Sequence, residues 1–117
     1  MDASDIFNRG ASIPRDVILT YEDTGLPIDL DDLDEIEFSV LHSVTTRELD
    51  NFKLSEGTVT KVDASIGHAR FIVPQSVTVT AKRGTYYLNA ITEETNLAYE
   101  DNTHIRENMV FCFKLNY

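Results

Sequence analysis

The sequence contains no tryptophan, one cysteine, three prolines and five glycines among its 117 residues. Because Cys112 is the single cysteine, an internal disulfide and a thiol-based metal site are both excluded. Its neighbours Phe111 and Phe113 indicate a buried, apolar thiol rather than a reactive nucleophile. An ordinary apolar core must therefore stabilise the chain, and its length and 42% hydrophobic content suit one domain.

Positive charge is scarce, since ten Lys and Arg residues stand against twenty Asp and Glu, for a formal net charge of −10. The ten basic residues are scattered along the sequence, so no basic stripe is expected. An acidic surface repels nucleic-acid phosphates and anionic lipids. We therefore expect neither a nucleic acid nor a membrane as partner.

Long apolar runs are missing as well. No segment has the length of a signal-peptide core or of a membrane-spanning helix. We therefore expect the protein to be made and folded in the cytoplasm.

Catalytic motifs are also missing. The three histidines, His42, His68 and His104, lie in separate segments without the spacing of metal ligands. The sequence has no nucleophile elbow and no phosphate-binding glycine loop. It therefore predicts no enzyme, no catalytic residue and no cofactor.

An acidic segment is the strongest candidate for a ligand site, because calcium is bound by several oxygen ligands from one loop. Its spacing does not match an EF-hand, so a solvated loop is the favoured interpretation. A weak cation site completed by a neighbouring chain stays open. The candidate ligands are Asp29, Asp31, Asp32 and Asp34.

Short alternating segments dominate the rest of the chain. In residues 35–42, Ile36, Phe38 and Val40 alternate with more polar neighbours, which predicts a strand with one buried face. Residues 93–108 are polar and predict a long loop or a distorted hairpin. Further strands are predicted at residues 17–21, 58–62, 69–73, 77–80, 85–92 and 109–115, and a weaker one within 45–54. This count predicts an all-β sandwich of seven or eight strands over residues 11–117.

Glycine and proline mark the turns between these strands. Gly25 is predicted to take a positive φ before Pro27, which holds the preceding residue extended. Gly57 is expected to begin a strand. Gly84 leads into a strand in which Tyr86 faces the core, with its hydroxyl bonded to the backbone, and Tyr87 faces outward.

Residues 1–10 allow two interpretations. They form either the first edge strand of the chain's own sheet or an arm that adds a strand to a neighbouring subunit. Ile6, Phe7 and Arg9 are the candidate partner-binding residues of this segment.

An ordered set of motifs carries a resemblance to a known family. The chain resembles the immunoglobulin-like domains found in phage virion proteins, including the N-terminal domain of upper baseplate proteins. The similarity extends from about residue 6 to the end. Its motifs are, in order, Arg9-Gly10, Asp23-Thr24-Gly25-Leu26-Pro27-Ile28-Asp29-Leu30, Ile36-Glu37-Phe38-Ser39-Val40 and Gly84-Thr85-Tyr86-Tyr87.

The resemblance implies an antiparallel immunoglobulin-like sandwich without catalytic residues. It further implies a virion protein that binds other virion proteins in many copies. Upper baseplate proteins continue into a C-terminal region that this chain lacks, which favours a small adaptor, connector or decoration protein over a baseplate arm.

A second function stays open from the residues themselves. Tyr87 and Tyr99 are candidates to stack on sugar rings, and the acidic segment is a candidate to bind a calcium ion that assists sugar binding. This combination would make the chain a stand-alone carbohydrate-binding module.

Overall fold

The computed structural model describes residues 6–21, 24–95 and 103–116. One four-residue helix, α1 (Gln75–Thr78), accompanies the strands. Two 3₁₀ turns lie at Leu30–Asp32 and Ala64–Ile66. The strands are β1 (Ile6–Asn8), β2 (Ile13–Ile18), β3 (Glu35–His42), β4 (Glu48–Lys53), β5 (Thr60–Asp63), β6 (His68–Val73), β7 (Gly84–Thr95) and β8 (Thr103–Asn116).

Two sheets form the fold. The larger one has the order β1-β8-β7-β3-β4 and the smaller one the order β2-β6-β5. In an immunoglobulin fold, the third, sixth and seventh strands share one sheet, and the second, fourth and fifth share the other. Strands β3, β7 and β8 match the first set, β2, β5 and β6 match the second, and β4 is the added strand of the variable type. The prediction of an immunoglobulin-like β-sandwich is therefore confirmed.

The first strand departs from the constant-type arrangement. β1 pairs parallel with β8, with Phe7 opposite Leu115, instead of joining the smaller sheet. Every other pair of strands is antiparallel.

The core lies between the sheets, where alternating residues of both meet. Phe38 of β3 lies in register with Phe52 of β4 and Ala90 of β7. Its ring centroid is 5.1 Å from that of Phe71 in the opposite sheet, which in turn lies 4.8 Å from Phe52. These three rings join the sheets at the centre of the sandwich.

Two side chains fix the corner between α1 and β7. The Tyr86 hydroxyl donates to the Lys82 carbonyl at 2.6 Å, the hydrogen bond of a tyrosine corner. His42 Nε2 lies 3.2 Å from the Arg83 carbonyl. His42 Nδ1 accepts from the Val44 and Thr45 N–H groups, which places the ring proton on Nε2. The chain is therefore held at two consecutive carbonyls just before β7 begins.

Tyr86→Phe should lower the free energy of unfolding by about 1–1.5 kcal/mol, because it removes one part-buried hydrogen bond and leaves the Lys82 carbonyl without that donor. Urea denaturation measures the change. Tyr87→Phe is the matched control, and we expect its effect to stay within about 0.5 kcal/mol because Tyr87 is exposed. Equal losses in the two variants would show that the corner hydrogen bond does not contribute.

The strand predicted at residues 17–21 lies earlier in the sequence. β2 begins at Ile13 and ends at Ile18, and it contains Pro14, which is tolerated because β2 lies at the edge of its sheet. Beyond β2 the chain folds back around Gly25, which has a φ of +70°. The Tyr21 N–H donates to the Leu26 carbonyl at 2.8 Å, and Thr20 pairs with Pro27.

The strand predicted at residues 77–80 was wrong. Those residues begin inside α1, where the Val77 and Thr78 N–H groups both donate to the Pro74 carbonyl. Thr78 is fully buried, and its hydroxyl donates to the Ala11 carbonyl at 2.6 Å. This hydrogen bond and the packing of Val77 against the core anchor the segment.

Residues 93–108 contain more strand than expected. β7 continues to Thr95 and β8 begins at Thr103, so the two strands form one long hairpin. Residues 96–102, with Tyr99, and Asp23 of the first turn lie outside the described residues. Gly57 does not begin a strand, because it lies in a turn with a φ of +77°.

Candidate assembly surfaces

Among the described residues, β8 has a neighbouring strand on one side over nearly its whole length and on the other side only near its end. β7 pairs with β8 from Thr103 to Leu115, whereas β1 pairs only with Lys114, Leu115 and Asn116. Within the described part of the chain, residues 103–113 therefore have a neighbouring strand on one side only. The Cys112 carbonyl accepts a hydrogen bond from Arg15 Nη1 at 3.3 Å, whereas the edge before it offers backbone N–H and C=O groups that another strand can pair with.

Over residues 109–113 this edge lacks charge and proline, although the register shift at Cys112 forms a bulge. Proteins usually blunt exposed edges with proline, charge, bulges or short strands. Residues 109–113 read Met-Val-Phe-Cys-Phe, without charge, proline or glycine. The opposite edge of the same sheet, β4, has six residues and carries Glu48, Asp50 and Lys53. β8 is therefore the edge of this sheet that is better suited to receive a strand.

The N-terminal candidates lie beside that edge. In the single chain β1 is an edge strand on β8, with Ile6 40% exposed. The Phe7 ring lies edge-on to Phe113 at 6.4 Å, and the Arg15 guanidinium lies 5.0 Å from the Phe7 centroid. Arg9 follows in a turn that the Ala11 N–H closes on the Asn8 carbonyl at 3.1 Å. Both interpretations of residues 1–10 place contacts on the same edge of the sheet.

The acidic segment folds as a 3₁₀ turn. The Asp29 carboxylate caps it by accepting from the Asp31 N–H at 3.0 Å. Asp31 pairs with Lys61 at 3.0 Å, while Asp32 and Asp34 are exposed. Within the described ranges, no three carboxylate, histidine or cysteine side chains are grouped as metal ligands. The carboxylates of this turn act as a cap, an ion-pair partner and surface charge.

Glu35 follows this turn and is held by backbone donors. Partial burial raises the pKa of Glu35, but the Ser55 hydroxyl, the N–H groups of Ser55 and Ile36, each 3.0 Å away, and nearby Lys53 together lower the pKa below its usual value. Glu35 lies opposite Glu93 in the sheet. Negative charge is thus concentrated where β3 begins and β7 approaches its end.

Tyr87 and the acidic turn lie far apart. Tyr87 lies opposite Leu41 near the end of β3, whereas Glu93 lies opposite Glu35 at its start. Six residues of strand separate the two positions by about 20 Å. The described residues therefore do not form a sugar site that combines Tyr87 with the acidic turn.

A cleft of about 360 Å³ lies between the sheets on the β4 side, and it offers no alternative stacking surface. Its aromatic rings, Phe52 and Phe71, are only 4% and 1% exposed. Buried rings of this kind cannot present a face to a sugar.

An ion cluster lies on the outer face of the smaller sheet. One Asp16 carboxylate oxygen lies 2.9 Å from His68 Nε2 and 2.8 Å from Arg70 Nε. The hydrogen bonds from His68 and then Arg70 lower the pKa of Asp16, and they outweigh the small opposing effect of burial. This cluster joins β2 to β6 across the sheet.

Acid should weaken the fold through Asp16 and Glu35, because both carboxyl groups have a lowered pKa in the folded state. Their stabilisation is complete above the unfolded pKa values, about 4, and is lost as the pH falls through the lower folded values. Asp16→Asn should therefore flatten the loss of stability between about pH 5 and pH 2.5. Denaturation at a series of pH values measures how steeply the free energy of unfolding changes with pH. Asp32→Asn, at an exposed carboxylate, is the control, and an unchanged slope in Asp16→Asn would contradict the assignment.

The fold places several basic side chains that are scattered in the sequence at one end of the larger sheet. We call this surface the basic end; it lies where β3 ends and β7 begins. The His42 N–H donates to the Arg47 carbonyl, and the Ser43 N–H donates to the Thr85 carbonyl, opposite Lys114. Its basic residues are Arg9, Arg47, Lys82, Arg83 and Lys114.

The opposite end of β3 is acidic, and we call it the acidic end. The Asp34 N–H donates to the Glu93 carbonyl at 2.8 Å, and the Ser55 N–H reaches Glu35, so three separate segments meet there. Its carboxylates belong to Asp29, Asp31, Asp32, Asp34, Glu35, Glu56, Asp63 and Glu93. Lys53 and Lys61 offset part of this charge.

Sequence reasoning recognised the acidic cluster because it is contiguous. The basic end has no such signal, because its residues come from four segments that only the pairing of β1, β3, β7 and β8 brings together.

Comparison of the chain with protein-family models and with curated proteins gives no match. In the portion of the chain that is described, no helix is both long and apolar enough to cross a membrane.

Proposed function

We propose that this chain is a non-enzymatic structural protein of a phage virion, in the tail, baseplate, neck or capsid surface. It acts through repeated contacts with other virion proteins. The observation that carries the proposal is the open edge of β8 beside β1.

Strand addition explains why the length of this edge matters. Each backbone hydrogen bond contributes about 1 kcal/mol net, whereas association of two proteins costs about 4–15 kcal/mol in lost freedom. A short edge therefore offers too few bonds to hold a partner by its backbone alone. Residues 103–111, before the bulge at Cys112, offer about one bond per residue to an antiparallel strand, together with the contacts of the added side chains.

The fold and the charge support the same role. An immunoglobulin-like sandwich keeps its core intact while an edge receives a strand, so assembly requires no refolding of the domain. The net charge of −10 limits non-specific association before the specific contacts form. The resemblance of the ordered motifs to virion domains supports a phage virion as the assembly to which the chain belongs.

Particles purified from a lysate of cells that carry the gene test the proposal directly. We expect an antibody against the chain to detect it in denatured particles and to label their surface or tail in electron micrographs. Absence of the chain from denatured particles would overturn the virion assignment.

A pair of proline variants tests the edge itself. Adjacent residues of a strand point their N–H groups to opposite sides, so of Asn108→Pro and Met109→Pro one interrupts the β7 ladder and the other only the open edge. The variant that keeps the wild-type melting temperature should lose at least about tenfold in incorporation into particles. Full incorporation of that variant would show that the open edge of β8 is not the assembly contact.

A further inference from the structure

We infer that copies of this chain associate head to tail, with the basic end of one copy against the acidic end of the next. The inference rests on the proposed assembly role and names one partner, a second copy of the same chain. Charge complementarity between two surfaces of one molecule is the observation that carries it.

The basic end is a preformed surface. Arg47 and Lys82 are exposed and flank a cleft of about 240 Å³ whose wall includes Tyr86. His42 fixes the loop that carries Arg47, and the tyrosine corner fixes the loop that carries Lys82. The acidic residue Glu48 also lies here, but its carboxylate accepts a hydrogen bond from the Ser39 hydroxyl at 2.5 Å. The cationic groups are therefore presented on loops that need little ordering when a partner binds.

The acidic end is equally well anchored. Leu30 and Leu33, on either side of the 3₁₀ turn, are buried in the core, and the Leu33 N–H donates to the Leu30 carbonyl. Asp32 and Glu56 are exposed at this end on two separate loops. The exposed carboxylates are therefore carried by backbone that is anchored to the core.

Screening by salt determines whether the attraction between the two ends outweighs the repulsion between two negatively charged copies of the chain. The length of β3 separates the two ends by about 23 Å, whereas charges in physiological salt are screened beyond about 8 Å. At contact, the basic end of one copy meets the acidic end of the next, while the distant charges that make up the net −10 are largely screened. Attraction at the contact therefore prevails over the repulsion expected from net charge.

The contact joins two different surfaces, so it is heterologous. A heterologous contact repeats from copy to copy and produces a closed ring or an open filament, depending on the rotation between neighbours. Both arrangements supply the many copies that a virion structure requires.

Sedimentation velocity of the full chain tests the contact. We expect the wild type to form concentration-dependent oligomers at low salt that dissociate as the salt concentration rises. Arg47→Glu/Lys82→Glu, in which the basic end becomes acidic, should associate at least about tenfold more weakly. Asp32→Lys/Glu56→Lys, in which the acidic end becomes more basic, should show the same loss. A mixture of the two double variants should recover oligomers, because each then presents ends that attract the other.

A charge-matched control separates the effect of charge at the contact from the effect of net charge. Thr60→Glu/Ile72→Glu adds the same negative charge as Arg47→Gln/Lys82→Gln, but at exposed positions in β5 and β6 of the smaller sheet. Only the second pair should weaken association. A wild-type chain that remains monomeric at low salt, equal loss in both pairs, or no recovery in the mixture would each overturn the head-to-tail contact. A chain that stays monomeric and is still found in particles would overturn this inference alone and leave the virion role standing.

Discussion

Gly67→Ala is expected to lower the free energy of unfolding by about 3–5 kcal/mol. Gly67 is buried and has a φ of +74°, a conformation that costs alanine about 1–2 kcal/mol. A Cβ atom there would also collide with the Leu19 carbonyl oxygen and lie 3.0 Å from the Ile28 carbonyl oxygen. Both obstacles are backbone atoms that cannot rotate away.

The collision would weaken two hydrogen bonds at the end of β2, because it pushes their donors and acceptors apart. The Leu19 N–H donates to the Gly67 carbonyl, and the Ile28 N–H donates to the Leu19 carbonyl, each at 2.9 Å. Gly57→Ala is the control, since Gly57 has a φ of +77° but open space around the added methyl. It should cost about 1–2 kcal/mol from backbone conformation alone. Equal midpoints of chemical denaturation for the two variants would show that the close approach at Gly67 carries no penalty.

Phe38→Ala should destabilise the domain by about 3–5 kcal/mol, because it removes a ring that is 0% exposed and joins the sheets through Phe71. Domains of this size have a total stability of only about 5–15 kcal/mol. The variant should therefore unfold at a much lower urea concentration, and a population of unfolded chain at 37 °C would follow.

Ile72→Ala provides the comparison for Phe38→Ala. Ile72 lies on the outer face of the smaller sheet and is 51% exposed, so its truncation should cost less than about 1 kcal/mol. A shift in denaturation midpoint for Phe38→Ala as small as that for Ile72→Ala would mean that the three-ring cluster does not hold the sheets together.

The sequence contained enough information for the fold class. Strict alternation in residues 35–42 reflects one buried and one less buried face, and β3 occupies those residues. Gly84 and Tyr86 marked the start of β7 because the tyrosine-corner hydrogen bond is local, spanning Lys82 to Tyr86. Features set by neighbouring residues were therefore accessible from the sequence.

Features set by long-range pairing were not accessible. Residues 93–95 and 103–108 are polar, yet they lie in strands because each pairs with the other side of the β7–β8 hairpin. Val77 and Val79 alternate like a strand, but Pro74 and the buried Thr78 hydroxyl favour a helical turn instead. Polar residues within a strand give no periodic apolar pattern in the sequence, and neither does the buried Thr78 hydroxyl.

The charged ends illustrate the same limit. Asp29 to Glu35 are close in sequence, so the acidic end was partly visible before the fold was known. Arg47 and Lys82 are brought together only because β3 and β7 run antiparallel. A candidate site built from distant segments requires the topology, which single-sequence patterns do not supply.

The pairing of β1 with β8 also bears on how the protein is made. Ile6 pairs with Lys114, so Ile6 leaves the ribosome well before the strand that it pairs with. We expect the apolar pair Ile6 and Phe7 to remain without its final neighbour until residues 114–116 have been made, because closing so long a loop is slow. The larger sheet would then be completed only after residues 114–116 emerge from the exit tunnel. During that interval a strand from another nascent or finished chain competes for the same edge, so translation rate becomes a variable in assembly.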